Sequence, residues 1–338
     1  MSPQPPGHPW ARFTRAMAHR EPATPLALFR IAVASIVLLS LLHMALTDVI
    51  EPILFGLDHG GVLPLKPSSP LWALLGRRAT PELVLPLFWG TVAGSAALAV
   101  GLGGRLTALL VLQGCIALFA INGAAGGGHD KLLTNALWLL VLAPSTATLS
   151  LDARLRTGSW VSDRPVAAWA RYLAIVQICL VYGTTGIQKL GAEWMPWGGW
   201  SALYYSLLLP SWARFDMTWI AWVYPLTQAA TAATWLWEAT FPLLLVCFWH
   251  RATRTRGGRL RQLSNRLDLR SAYVLMGVFV HVGIWATMNV GPFSWASLAY
   301  YLCLYHHDEW ARLGRRLRGA SSALAPSPDA APGAPAPG

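Results

Sequence analysis

The chain has 338 residues, of which 54% are hydrophobic and only 12% charged, and its mean hydropathy is +0.43. A soluble globular protein carries about 25% charged residues, so the composition excludes that class and points to a multi-pass membrane protein. The formal net charge of +11 would suggest nucleic acid for a soluble chain, but here it reads first as topology, and no nucleic-acid partner is expected.

Residues 1–24 form a polar, proline-rich segment with no small-residue cleavage site after an apolar core, so no secretory signal peptide is expected. Apolar runs follow at about 25–47, 82–100, 105–122, 130–148, 166–188, 222–248, 272–290 and 292–306. The expectation is an all-α transmembrane bundle of about eight helices in one domain over residues 25–310. Pro225 and Pro242 should bend or break the sixth run. Between the fifth and sixth, residues 189–221 include "EWMPWGGWSALYYSLLLPSWARFDMTW". That is too apolar for a solvated loop, and an interfacial or re-entrant helix on the outer face fits it, with some tryptophans serving as an aromatic belt. Residues 311–338 are basic at first, then poor in bulky side chains, and the end of this tail is expected to be disordered.

Positive charge orients the bundle. With the N-terminus inside and eight spans, inner segments hold 19 of the 26 lysines and arginines and outer segments six, while Arg30 lies within the first span. That split predicts a cell-membrane protein with both termini cytoplasmic. The lysines are Lys66, Lys131 and Lys189, all on the outer face. Cys115, Cys179, Cys247 and Cys303 are scattered singly in or near apolar runs, so they read as free thiols rather than a disulfide framework, and no metal site is expected.

Chemistry-bearing residues are few. Lys189 ends the fifth run in a chain that writes nearly every other cation as arginine. It either snorkels to the headgroups or sits desolvated as a proton acceptor. An ordinary lysine is neutral less than about 0.1% of the time at pH 7; burial raises that fraction, whereas arginine stays charged. His129, in "NGAAGGGHDKLL", precedes the fourth run with Asp130 as a cap, and the helix dipole should keep the imidazole neutral. Alone it reads as a loop histidine. Arg30 and Glu238 lie inside spans and are expected to pair with each other. His281 lies mid-span, as a satisfied core histidine or a pocket residue. Phosphate loops, HExxH motifs, GxSxG elbows and paired catalytic carboxylates are absent.

Four stretches carry a family resemblance. "PLALFRIAVASIVLLSLLHM", "GHDKLLTNALWLLVLAPSTATLSLDARLR", "YGTTGIQKLGAEWMPWGGWSALYY" and "HVGIWATMNVGPFSWASLAYYL" occur in order over about residues 25–306. Together they resemble the HTTM (horizontally transferred transmembrane) domain family, which includes vitamin K-dependent gamma-carboxylase. The resemblance implies carboxylase-like chemistry. There a lysine deprotonates a reduced naphthoquinone, oxygen attack yields a strong base, and a peptide glutamate loses its γ-proton and captures carbon dioxide. Lys189 falls on that lysine and His129 on the family's catalytic histidine, while Gly128 stands where the carboxylase has an asparagine. Vitamin K or menaquinol is the implied cofactor, and a peptide or small acidic molecule the implied substrate. Trp194, Tyr204 and Tyr205, and more weakly His281, are candidate walls for the quinone ring. The Arg, Ala, Pro and Gly bias resembles a GC-rich bacterial genome, where menaquinol would be available. Two further readings stand beside this one. One is a non-enzymatic immunity or export partner, as the family's sporulation-delaying protein B members suggest. The other is a small-molecule transporter, which would need polar residues along several spans.

Overall fold

The computed structural model describes residues 10, 14, 17–76 and 78–323. A short antiparallel pair opens the fold, β1 (Arg20–Pro22) against β2 (Pro165–Ala167), with Glu21 opposite Val166. It brings the starts of two long helices together. The first, α1 (Thr24–Leu46), has Pro25 in its first turn, where a missing N–H costs nothing. It buries Phe29, Val33, Val37 and Leu41, while Leu39 and Leu46 on other faces stay exposed. Such a helix, apolar all round but half buried, suits one side against protein and the other against lipid.

Two short helices, α2 (Ile50–Leu54) and α3 (Pro70–Leu74), precede α4 (Pro81–Val100), α5 (Gly104–Phe119) and α6 (Gly128–Leu142). α1, α4, α5 and α6 pack successively on one another. After α7 (Leu151–Thr157) comes α8 (Trp169–Gln188), which packs on α10 (Tyr224–Thr240). The segment between them forms the seven-residue α9 (Ala202–Leu208) and three 3-10 turns, at Ala192–Trp194, Pro196–Gly198 and Thr218–Val223. It is therefore a run of turns around one short helix. Pro225 begins α10 rather than breaking it, and Pro242 caps α11 (Leu243–Ala252) at a 53° bend. Then follow α12 (Arg259–Leu267), α13 (Leu269–Thr287), α14 (Phe293–Tyr301) and α15 (His307–Ala323). α14 touches α1, α6, α8 and α13, joining the two groups of helices. Its Tyr300 ring meets Phe29 edge-on at 5.0 Å, and its hydroxyl donates to the Leu132 carbonyl.

Every expected apolar run falls on a helix. By length and composition, four helices among the described residues could each cross a bilayer: α1, α4, α8 and α13. The bent pair ending in α11 would be a fifth. α5 has 16 residues, about 24 Å at 1.5 Å per residue, against a hydrocarbon core of about 30 Å. The four cysteines are free, three of them buried. Most of the polar N-terminal segment, and residues 324–338 of the tail, lie outside the described residues.

Candidate functional site

The C-terminal end of α8 lies directly on α10. A Cβ on Gly186 would sit 2.7 Å from Ala239 Cα and 2.8 Å from the Glu238 carbonyl carbon, so only glycine permits this approach. One turn later Lys189 caps α8, its N–H donating to Thr185 O at 3.2 Å. Its Nζ turns inward and donates to Glu238 Oε2 at 2.5 Å. The same nitrogen lies over the Trp194 ring, 4.2 Å from its centroid. The two side chains keep 21% and 11% of their surface, so the pair is sheltered but not fully buried.

Behind it lies a buried knot of rings. Trp237 of α10 and Phe241, just after its end, pack on Tyr182 of α8, with centroids at 4.6 and 4.5 Å. Tyr301 donates its hydroxyl to Tyr182 at 3.0 Å, and the Tyr182 hydroxyl lies 2.5 Å from His281 Nε2. Which of the Tyr182 hydroxyl and His281 Nε2 donates depends on the tautomer of the imidazole. His281 Nδ1 is buried with no hydrogen-bond partner among the described residues, and so is Ser294 Oγ. Gly277 makes room for the knot, since a Cβ there would stand 2.7 Å from Tyr301 Cζ.

His129 opens α6 beside the start of α14. Its Cε1 would lie 3.4 Å from a Cβ on Gly291, and its Nε2 is 3.2 Å from Asp130 Oδ1. Asp130 caps from inside the helix, accepting the Gly127 N–H at 3.0 Å. Burial holds this imidazole below its ordinary value, against Asp130, which raises it. No hydrogen bond or ion pair joins His129 to Lys189 among the described residues. Phe293 flanks Gly128, next to His129, and its ring lies 5.7 Å from that of His281.

Arg30 and Glu238 do not meet, which corrects the pairing expected from sequence. Arg30 is fully buried and donates to Ser145 O at 2.7 Å and Leu149 O at 2.6 Å. Its two Nη groups are held by loop carbonyls, which leave no mark in the side-chain sequence, while its buried Nε has no hydrogen-bond partner among the described residues, and Glu238 is taken by Lys189. Of the candidate ring walls, Trp194 alone touches Lys189. Tyr204 packs against Tyr205 and Tyr224, at 5.5 and 5.0 Å, and Tyr205 is 60% exposed.

Sequence reasoning missed the Tyr182–Tyr301–His281 knot, although Tyr182, Gly186 and Lys189 recur at the i, i+4, i+7 spacing of one helix face. It also missed a buried ion pair at the other end of α8. Arg171 Nε and Nη2 donate to the two Glu21 oxygens at 2.5 and 2.8 Å, and Nη1 donates to Cys303 O at 3.2 Å. Glu21 lies in the polar segment before the first span, where nothing marks a carboxylate as buried.

A family model described as the HTTM domain matches residues 19–257. This takes in Arg30, His129, Lys189 and Glu238, and ends before α13 and α14. No curated protein and no solved structure matches the chain.

Proposed function

This chain belongs to the HTTM domain family, and from that premise we propose that it is a cell-membrane protein doing carboxylase-like, quinol-dependent chemistry at Lys189. The observation that carries the reading is the Lys189–Glu238 pair under Trp194. A lysine serving only to anchor a helix end would send its amine to the headgroups, whereas this one is turned onto a carboxylate. The donor set fits a quinol: an amine and a carboxylate able to exchange one proton, half sheltered beside an aromatic face. Trp194 and Lys189 would hold the ring and its hydroxyl. When bound, a reduced naphthoquinone would supply the electrons for oxygen chemistry.

Glu238 controls where the proton sits. As a carboxylate it holds the lysine as ammonium; once protonated, or drawn to another donor, it leaves the amine free to accept a proton. Arginine could keep the ion pair but not release a proton. His129 is kept neutral by burial and would serve as the second acid–base group, on a peptide or small acidic substrate. The 19-to-6 distribution of positive charge supports cytoplasmic termini and an outer-face site.

A second reading, a non-enzymatic immunity or export partner, is favoured by the close packing at Gly186, where the ion pair could simply clamp α8 to α10. Quinol oxidation in proteoliposomes separates the two. With Lys189→Arg the base reading expects a loss of about 10²–10⁴-fold, the usual worth of a general base, with membrane insertion unchanged. Full turnover by that variant would remove Lys189 as the base.

A further inference from the structure

The loop from Arg251 to Arg270 carries seven arginines and a single acid, Asp268. Its helix α12 is amphipathic in a way the fold leaves unused. Leu260, Leu263 and Leu267, at i, i+3 and i+7, share one face and are 76%, 52% and 56% exposed. Below them is an apolar groove of about 250 Å³, walled by these leucines with Leu243 and Val246 of α11 and Leu269. Asn265 ties α12 to α11 by donating to His250 O at 3.2 Å.

A polar cavity of about 270 Å³ adjoins the groove and shares Cys247, Ser264 and Leu269 with it. At about 30 Å³ per water, it has room for a headgroup rather than a lone ion. Its charged residues are Arg251, Arg270, Arg312, Asp268 and Glu309, an excess of one positive charge. Glu309 is already saturated: it accepts Arg270 at 2.7 and 2.8 Å, Arg251 at 2.9 Å and the His306 N–H at 2.9 Å. Arg312 is exposed and has no acidic partner among the described residues. The same loop also carries Arg254, Arg256, Arg259, Arg261 and Arg266, which have no acidic partner among the described residues.

We propose that the α11–α12 groove and the adjoining arginine cavity form a binding site for an anionic phospholipid of the leaflet facing this end of the bundle. The acyl chains lie along the leucine face, and the phosphate is held by Arg251 and Arg312. The groove continues the apolar surface of α11, where Leu243, Val246 and Trp249 are each about half exposed, so a lipid enters sideways from the bilayer. A zwitterionic headgroup leaves the surplus charge uncompensated, and a neutral isoprenoid leaves the polar cavity unfilled. The anionic phospholipid satisfies both parts.

The test uses the full-length protein in nanodiscs of phosphatidylcholine, with or without phosphatidylglycerol, followed by thermal unfolding. Phosphatidylglycerol should raise the midpoint by about 2–4 °C, and Arg251→Gln with Arg312→Gln should abolish that rise. Because Arg251 also supports Glu309, Arg312→Gln alone is the control for folding, and it should reduce the rise while leaving the phosphatidylcholine midpoint unchanged. Equal midpoints in the two lipids would overturn the proposal, as would a full rise in both variants. An equal rise on adding inorganic phosphate to phosphatidylcholine discs would also overturn it, in favour of a free-phosphate site.

Discussion

The two ends of α8 each carry a cation paired with a glutamate, and the two pairs are built differently. At the start, Arg171 and Glu21 are 8% and 5% exposed at the side chain and meet through two parallel hydrogen bonds, with a third to Cys303 O. At the finish, Lys189 and Glu238 are 21% and 11% exposed and meet through one. The first pair is closed. It uses the planar, permanently charged fork that suits a buried carboxylate and that no proton leaves. The second is half open and uses the one basic side chain of the two that can give up a proton. The charge is fixed at the arginine end and titratable in kind at the lysine end, and that makes Lys189 the end to test for chemistry.

The comparison breaks first on stability. Arg171→Ala strands the Glu21 carboxylate among buried groups, and loss of one partner of a buried pair costs about 3–5 kcal/mol; denaturation in detergent measures it. Glu238→Gln should cost less, about 1–3 kcal/mol, because the Lys189 amine is open enough to turn to water. Equal costs at the two ends would mean that the Lys189 pair is a structural clamp of the same kind.

A smaller effect is expected on acidification. The closed end is linked to Glu309 through His306, whose N–H donates to Glu309 and whose Nε2 lies 3.5 Å from Glu21. Burial would raise the Glu309 carboxyl, but hydrogen bonds from Arg270 and the His306 N–H outweigh it and hold the group at about 2, from an ordinary 4.5. A carboxylate lowered on folding stabilises fully above its unfolded value, so this contribution is intact above about pH 4.5, declines as pH falls towards about 2 and is gone below it. The protection of the α15 amides against hydrogen exchange, relative to the intrinsic rate at each pH, should fall within that window. Protection constant across it would detach Glu309 from the closed end.

Much of the architecture was legible in the residues. Apolar runs marked the long helices of the bundle but not the polar, 17-residue α15, which falls largely where a basic, then disordered tail was expected, and Pro242 marked the bend between α10 and α11, because a prolyl nitrogen cannot donate within a helix. Lys189 stood out as a lysine among arginines, and isolated cysteines read correctly as free. What these signals share is locality: each rests on the chemistry of a residue and its immediate neighbours.

Partnership was not legible. An ionisable residue in an apolar run announces that it needs a partner, not which one. For Arg30 the partners are two backbone carbonyls 115 and 119 residues away, and any residue supplies a carbonyl. For Glu238 the partner is 49 residues away, at a helix end reached only because Gly186 lets two backbones approach. The knot of Tyr182, Tyr301 and His281 likewise draws on three helices whose packing brings distant hydroxyls within hydrogen-bond reach. Composition and periodicity alone determined that this is a helical membrane protein, and roughly where its helices run. Tertiary packing decided which charges are closed, which stay open and which polar atoms meet, since helix–helix distance, set by the side chains between them, fixes hydrogen-bond partners over long separations in sequence.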